Sequence, residues 1–496
     1  MKQYDVVIIG SGLGGLSCGV MLAREGLSVC ILERQRTAGG CLQTFRRGDH
    51  AFDTGVHYVG SLADGCILNQ YFRYLGVMDK LRLQRLDDAG FDHIHLCDGS
   101  DYCHAAGFER FEETLAASFP DEREGIRQIS RDIQRVGALI SPEILRSGRL
   151  SAGGLEYMAL SAAERIDAAV KHPHLRAVLA GTSVLYGGQR NRTSLYEYAM
   201  INHSNIEGAY SFIGGSQQLA DALVAELEAL GGEVHCSAEV KCIHLEGRRA
   251  EWLTTSAGER YGFKHLISSI HPVQTYHLLD NNQVIRPAFF SRLKTLENSY
   301  GVFSLYLVFK PQTVRYANCN HYLYTVPDVW ATEEHYRGAK LPVALFSMQA
   351  SGGEYASVGT VLAPMYGADL AAWKDTTVGH RGADYEAFKA AYAERLLRLV
   401  ESHFPAIRGA VEKSYTATPL TYRDYTLTPD GSAYGIVKDY HQPIVNHLPA
   451  RTRIENLLLT GQSLNVHGLL GVAVSSAVTC SELLGTEYLA KKIGDA

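Results

Sequence analysis

Apolar residues dominate the first strand-length stretch of the chain and then give way abruptly to glycines. Residues 4–9, YDVVII, are typical of a buried strand, and the sequence GSGLGG follows at residues 10–15. A helix-like apolar stretch comes next, and residues 27–33, LSVCILE, are typical of a second strand. The pattern predicts a strand, a tight turn, a helix and a second strand, in that order.

Two later parts of the chain combine apolar runs with glycines in a similar way. In residues 212–232, leucines follow a glycine pair at the spacing of one helix face, and a second glycine pair is placed to end that helix. Strand-like runs occupy residues 233–240 and 265–270. Residues 456–481 have no formal charge, but glycines and polar residues interrupt them. We therefore expect a strand, a glycine loop and a buried helix there, and no membrane span.

The first glycine cluster has the spacing of a dinucleotide-binding turn. Gly10 permits the turn, Gly12 lets the backbone approach a pyrophosphate, and Gly15 lets the helix pack closely on the strand. The helix that follows offers its N-terminus to phosphates. Glu33 follows Gly10 by 23 residues, at the end of the second strand, where its carboxylate can accept hydrogen bonds from ribose hydroxyls. The sequence therefore predicts a bound dinucleotide.

Two long insertions separate the three glycine-containing parts. The first contains charged helical material at residues 109–135, and the second contains the strand-like residues 302–309. We predict an α/β fold, in which a Rossmann-like dinucleotide-binding domain is assembled from three chain segments and carries an inserted α+β substrate domain of mixed sheet plus helices. The predicted boundaries are 1–60, 206–275 and 416–496 for the first domain, and 61–205 and 276–415 for the partly helical second domain.

Composition restricts the partners and the cellular location. A length of 496 residues suits two or three domains, and 46% hydrophobic residues supply a sizeable core. The net charge of −6 argues against nucleic acid as the main partner, because phosphate binding requires a basic surface. Ten cysteines without a Cys-x-x-Cys pair indicate reduced thiols. Since no signal-peptide pattern precedes the first strand, we expect a cytoplasmic location.

Further motifs carry a resemblance to a known family. The glycine pair at residues 39–40 resembles that of the amine oxidase and phytoene desaturase flavoproteins. Residues 52–60, FDTGVHYVG, and residues 459–472, LTGQ…VHGLLGV, resemble the branch containing the retinol saturases (all-trans-retinol 13,14-reductases). Residues 418–421 and 431–435 resemble the wider group that includes the carotenoid isomerases. The resemblance implies FAD and an activity on carbon–carbon double bonds of long conjugated polyenes.

The same resemblance implies which residues bind FAD. The C-terminal glycine loop would pass the flavin ring, the helix after Gly471 would direct its positive N-terminal dipole toward the flavin N1–C2 edge, and the backbone of Val240 would contact the adenine. The predicted cofactor-binding residues are Gly10, Ser11, Gly12, Leu13, Gly14, Gly15, Glu33, Arg34, Gly39, Gly40, Cys41, Val240, Gly461, Gln462, Gly468, Gly471 and Val472.

The candidate catalytic residues are His467, His57 and Tyr58. One hypothesis is that a histidine positions the substrate or delivers a proton near the flavin. The alternative is that both histidines are packed and hydrogen-bonded within the pocket. Tyr58, together with Tyr186 and Tyr210, is also a candidate for the wall of an apolar tunnel. No metal site is predicted, since the His172–His174 pair lacks further ligands at the usual spacings.

Three functions stay open at this point. The first is a flavin-dependent reductase (saturase) of an apolar polyene such as a retinoid, a carotenoid or an aryl-polyene. The second is a desaturase or a cis–trans isomerase with the same FAD site, and the third is a non-enzymatic lipid-binding or escort protein. No second glycine fingerprint is present, so NAD(P)H would be a transient electron donor, or another carrier would replace it. A peripheral membrane contact through residues 139–160 is a further hypothesis. The oligomeric state is not predicted.

Overall fold

The computed structural model describes residues 1–150, 154–281, 285–330, 337–338, 340–350 and 352–496. Its first strands and helix follow the predicted order: β1 (Lys2–Ile9), α1 (Leu13–Arg24) and β2 (Val29–Leu32). Both strands end in fully buried residues, and eleven consecutive residues of α1 are buried. Burial on every side explains why these segments are continuously apolar instead of alternating.

The remaining strands and helices follow in chain order. The strands are β3 (Thr44–Arg47), β4 (His50–Asp53), β5 (Val59–Gly60), β6 (Leu83–Arg85), β7 (Asp92–His95), β8 (Asp101–His104), β9 (Ala209–Phe212), β10 (Glu233–His235), β11 (Val240–Glu246), β12 (Arg249–Thr255), β13 (Arg260–Ser268), β14 (Gly301–Phe309), β15 (Asn320–Tyr324), β16 (Val343–Met348), β17 (Val358–Met365), β18 (Val411–Ala417) and β19 (Leu457–Leu459). The helices are α2 (Ile67–Tyr74), α3 (Phe108–Ser118), α4 (Arg123–Gly137), α5 (Pro142–Arg146), α6 (Leu155–Met158), α7 (Ala162–Ala169), α8 (Pro173–Ala180), α9 (Leu195–Glu207), α10 (Gln217–Ala229), α11 (Pro272–His277), α12 (Pro287–Thr295), α13 (Ala383–His403), α14 (Pro419–Thr426), α15 (Pro443–Asn446), α16 (Gly468–Leu484) and α17 (Thr486–Gly494).

One sheet joins the three glycine-containing parts of the chain. Its strand order is β10-β2-β1-β13-β12-β11, and β19 pairs with β13. The strands β10, β2, β1, β13 and β19 are parallel, while β12 and β11 are antiparallel additions. Because the carboxyl ends of parallel strands meet at one edge, the glycine loops that follow β1 and β19 come together. The α/β fold class is confirmed, and the predicted domain boundaries stay a prediction.

The predicted strand at residues 233–240 is divided into β10 and β11. Ser237 lies between them with φ of +57°, a left-handed conformation. The amide of Ser237 donates to Gln35 O and that of Ala238 donates to Glu33 O, so this segment bonds to the loop after β2. This long-range pairing interrupts a run whose local composition favours a single strand. The predicted strand at residues 265–270 also differs, since β13 begins at Arg260 and ends at Ser268.

The second sheet draws on both insertions, in the order β18-β14-β17-β16-β15-β7-β8. The predicted buried strand is present as β14, and all of its residues are buried. Phe303 and its neighbours on one face pack against α13, and Tyr306 and Val308 on the other face pack with Phe52. Both faces are therefore covered, which explains the absence of alternation. Among the described helices, none is long and apolar enough to cross a membrane.

Candidate functional site

A cavity of about 600 Å³ lies between the two sheets. The loops after β1 and β19 form part of its wall, and so does the start of β11. The opposing sheet contributes the apolar side chains of Val302, Leu345 and Leu362. This volume and this mixture of glycine backbone and apolar side chains are typical of a ligand-binding site.

The first glycine loop leaves room on its cavity side and none on its helix side. A Cβ atom added to Gly12 would meet nothing within 4 Å, whereas one added to Gly15 would lie 2.0 Å from the carbonyl oxygen of Gly10. Gly12 is the N-cap of α1, and no side chain caps its amides. The helix therefore presents uncapped N–H groups to the cavity, which fits a pyrophosphate.

Glu33 lies at the end of β2, and only 8% of its surface is exposed. One carboxylate oxygen accepts hydrogen bonds from the amide and the hydroxyl of Ser11, at 2.9 and 2.6 Å. The other oxygen accepts one from the amide of Gln35 at 2.7 Å. A carboxylate offers about four acceptor positions, so one remains for a ribose hydroxyl. Glu33 thus also stabilises the glycine loop, a role that motif spacing does not indicate.

The C-terminal loop repeats the same arrangement with a second helix. The helix α16 begins at Gly468, three residues earlier than Gly471, and His467 is its N-cap without a side-chain capping bond. A Cβ atom added to Gly471 would lie 2.1 Å from the carbonyl oxygen of Val466, so this turn requires glycine. The uncapped amides of α16 at the cavity fit the electron-rich N1–C2 edge of a flavin.

His467 is buried with 5% of its surface exposed, and neither ring nitrogen has a hydrogen-bond partner within the protein. Its ring packs on Tyr434, with the ring centroids 4.5 Å apart. Burial lowers the pKa of His467 to about 3, and nearby Lys438 contributes to this shift. Burial likewise lowers the pKa of His57 to about 4. Both imidazoles are therefore neutral near pH 7, and neither is a stored cationic acid.

Tyr58 connects the cavity to a buried carboxyl group. Its hydroxyl donates to Asp92 Oδ2 at 2.8 Å and lies 2.5 Å from the hydroxyl of Tyr322. The side-chain amide of Asn320 donates to Asp92 Oδ1 at 2.8 Å. Asp92 has no exposed surface, and burial raises its pKa to about 7. Sequence reasoning missed Asp92, because an aspartate at the start of a short strand carries no local signal.

The structure brings most of the predicted site residues together. The three candidate catalytic residues line the cavity, and so do the predicted cofactor-binding residues other than Ser11 and Gly15. Ser11 contacts Glu33, and Gly15 supports the packing of α1. The prediction that three tyrosines line an apolar tunnel is only partly correct. Tyr58 lines the cavity, but Tyr186 lines a separate small cavity and Tyr210 packs on Arg85.

A buried lysine holds the C-terminal loop, and sequence reasoning missed this residue too. Lys438 Nζ donates to the carbonyl oxygens of Asn446 and Ser463, at 2.8 and 2.9 Å. Burial lowers the pKa of Lys438 to about 7, while burial raises that of nearby Glu197 to about 8. The resemblance of residues 431–435 ends just before Lys438, so no motif included it. Its bonds position the backbone just ahead of His467.

A sequence profile of flavin-containing amine oxidoreductases matches residues 13–484, nearly the whole chain. The chain belongs to this flavoprotein family. The all-trans-retinol 13,14-reductase of Homo sapiens is 27% identical over 97% of this chain and 86% of that protein. The chloroplastic prolycopene isomerase of Daucus carota is 23% identical over 98% of this chain and 80% of that protein.

A solved structure shares the fold of this flavoprotein. An oxidoreductase from Methanosarcina mazei superposes with a TM-score of 0.62 at 16% identity, covering 96% of this chain and 99% of the other. The family assignment agrees with the two uncapped helices and the glycine loops at the cavity. A flavin is the cofactor of this chain, and FAD fits the dinucleotide cradle after β1.

Proposed function

We propose that this flavoprotein is an FAD-dependent reductase (saturase) of a carbon–carbon double bond in a long, apolar, conjugated polyene. The observation that carries the proposal is the shape and lining of the cavity. One wall consists of glycine loops and uncapped helix ends that suit FAD, and the opposite wall is apolar. Similarity to a retinol reductase over most of both chains supports this choice of substrate class.

The lining argues for an apolar substrate over a charged amine. Among the described lining residues, the acidic side chains are Glu33 and Glu239, which adjoin the predicted ribose and adenine positions. An ammonium group near the flavin would require a carboxylate or a comparable partner there. The wall instead presents apolar groups, including Val184, Met200 and Ile201. Burying such groups against a polyene stabilises the complex by about 25 cal/mol per Å² of apolar area.

The protein residues in this proposal bind the substrate, exclude water and hold protons. A bound flavin supplies or accepts a hydride at N5. Tyr58, on the cavity wall, is the proposed proton donor, because its hydroxyl is linked to a buried carboxyl group. His467 and His57 are neutral hydrogen-bonding groups that orient the flavin or the substrate. NAD(P)H or another carrier would supply the electrons.

A second candidate is a desaturase or a cis–trans isomerase of a carotenoid-like substrate. It is favoured by similarity to a prolycopene isomerase over most of the chain. The same flavin cradle and the same apolar wall serve it equally well. A non-enzymatic escort protein is disfavoured, because such a protein has no need for the uncapped helix ends and the glycine contacts around the cavity.

The mass of the product separates these candidates. The purified protein, reduced under anaerobic conditions, is mixed with retinoid, carotenoid and aryl-polyene candidates, and the products are analysed by chromatography and mass spectrometry. A gain of two hydrogen atoms supports the reductase, and their loss under oxidising conditions supports a desaturase. An unchanged mass with altered retention indicates an isomerase. Colourless protein that cannot be reconstituted with FAD contradicts both enzymatic proposals.

A peripheral membrane contact is a separate part of the proposal. Two leucines in the expected stretch have large exposed surfaces, Leu155 at 54% and Leu160 at 48%. Residues 151–153 of this stretch lie outside the described residues. Flotation with liposomes tests the contact, with Leu155→Ser/Leu160→Ser as the matched variant. If the unaltered protein does not float with or without polyene in the membrane, this part of the proposal is wrong.

A further inference from the structure

The buried network behind Tyr58 reaches from the cavity wall into the second sheet. Tyr58 lines the cavity, whereas Asp92, Asn320 and Tyr322 do not. Asp92 and Asn320 lie opposite each other in the parallel pair β7–β15, so the sheet register determines their contact. Tyr322 follows on β15 and reaches the Tyr58 hydroxyl. Both carboxyl oxygens of Asp92 and the hydroxyls of Tyr58 and Tyr322 have hydrogen-bond partners, which makes the arrangement well defined.

We propose that Asp92 is a positioning residue that stores the proton exchanged by Tyr58 with the substrate. This inference rests on the proposed function and adds a proton path to it. In reduction, a bound reduced flavin would supply the hydride, with its two electrons, that one alkene carbon receives. The other carbon receives the proton of the Tyr58 hydroxyl. The Tyr58 oxygen then takes the proton of the Asp92 carboxyl group, which is left as a carboxylate and is later reprotonated from water.

The same pair works in the opposite direction when hydrogen is removed from the substrate. The Asp92 carboxylate then accepts the proton of Tyr58 as Tyr58 takes one from carbon, and a bound oxidised flavin would accept the hydride with its two electrons from the other carbon. The protonation state of Asp92 therefore determines whether the pair supports reduction or desaturation of the substrate. Reduction requires the carboxyl form, so its rate falls as the pH rises above about 7, and desaturation requires the carboxylate, so its rate falls below about 7.

The groups around Asp92 explain why its proton is exchangeable near neutrality. Burial is the largest influence and favours the neutral carboxyl form. The Asn320 amide, the Tyr58 and Tyr322 hydroxyls and the neighbouring His93 favour the carboxylate. His104, opposite Asp92 on β8, is neutral near pH 7 because burial lowers its pKa to about 4. Tyr434 also faces Tyr58, and burial keeps its hydroxyl protonated.

The test begins with a measurement that requires no polyene. Infrared spectra of the FAD-loaded protein are recorded as a function of pH, and the protonated-carboxyl band is followed. We expect a band that titrates with a midpoint near 7 and is absent from Asp92→Asn. Tyr58→Phe removes a donor to the carboxylate, so the midpoint should rise by about one pH unit. Glu197 contributes a carboxyl band of its own, so the contribution of Asp92 is taken as the difference between the spectra of the unaltered protein and Asp92→Asn. A difference spectrum without a carboxyl band that titrates near 7, or a midpoint unaffected by Tyr58→Phe, overturns the inference.

Turnover provides the second measurement. In Asp92→Asn, kcat should fall about 100-fold with little change in KM, and the limb of the pH profile near 7 should disappear. Tyr324→Phe is the matched control, because its hydroxyl on the same strand donates to Gly181 O and does not contact Asp92. Its kcat and its infrared titration should match those of the unaltered protein. An Asp92→Asn variant with unaltered kcat and pH profile contradicts the proposal.

Failure of the proposed function and failure of the proton path give different results in these measurements. If the unaltered protein converts no polyene, the proposed function fails, and the infrared titration still decides whether Asp92 and Tyr58 share a proton. If Asp92→Asn does not fold, the midpoint shift in Tyr58→Phe decides instead. A shift supports the proton path, and an unchanged midpoint refutes it.

Discussion

Replacing Gly12 by alanine should separate cofactor binding from folding. Gly12 has φ of −65° and ψ of 174°, which alanine adopts without strain, and the added Cβ would meet no protein atom within 4 Å. Alanine is a poorer N-cap than glycine, which lowers stability. It also lowers the conformational entropy of the unfolded chain, which stabilises the folded protein by about 0.4–1 kcal/mol. These two effects oppose each other. The free energy of unfolding of the flavin-free protein should therefore change by no more than about 1 kcal/mol.

The same methyl group would point into the space that a pyrophosphate needs. Overpacking of this kind costs about 1–3 kcal/mol, which corresponds to roughly a 5- to 150-fold rise in the Kd for FAD. Calorimetric titration of the flavin-free protein with FAD measures the change. Gly15→Ala is the contrasting variant, because its Cβ would lie 2.0 Å from the Gly10 carbonyl oxygen and must disturb the packing of α1. Gly15→Ala should lower the thermal midpoint as well as FAD affinity. Unaltered FAD affinity in Gly12→Ala, or a thermal midpoint as low as that of Gly15→Ala, would refute this reasoning.

Three further predictions concern ionisable residues. Glu33→Gln should weaken FAD retention on gel filtration, and equal retention would show that no ribose contact exists. His467→Phe should change the melting temperature of the flavin-free protein by no more than a few degrees, because neither ring nitrogen has a hydrogen-bond partner in the protein. The same variant should have a lower kcat. A large loss of stability would argue for a structural role of His467. The buried His104 is neutral, with its pKa lowered from 6.5 to about 4, so the unfolded chain binds more protons and stability falls as the pH drops through this range. Between pH 6.5 and 4, the free energy of unfolding of His104→Phe, measured by denaturant titration, should fall by about 3 kcal/mol less than that of the unaltered protein. An equal fall in both proteins would contradict the lowered pKa of His104.

Local sequence was sufficient to predict the cofactor cradle. Gly10 permits a turn, Gly12 leaves a helix end exposed and Gly15 allows a close helix–strand contact. All three are short-range features, since they involve residues that are close together in the chain. The predicted strand at residues 302–309 was likewise correct, because a continuous apolar run reflects burial on both faces. The prediction of a single strand over residues 233–240 was wrong, because hydrogen bonds from Ser237 and its neighbour to the loop after β2 interrupt it.

Tertiary structure alone decided the chemistry around the cradle. Tyr58 and Asp92 are 34 residues apart, and Tyr322 comes from the other insertion. The pairing of β7 with β15 brings Asp92 close to Tyr322, and Tyr58 joins them through hydrogen bonds from outside both strands. The neutral state of His467 also follows from burial, which no motif encodes. The sequence by itself determined the glycine turn and the exposed helix end that suit a dinucleotide, because backbone conformation is a local property. The fold determined which side chains can hold a proton, because desolvation and contact depend on residues distant in the chain.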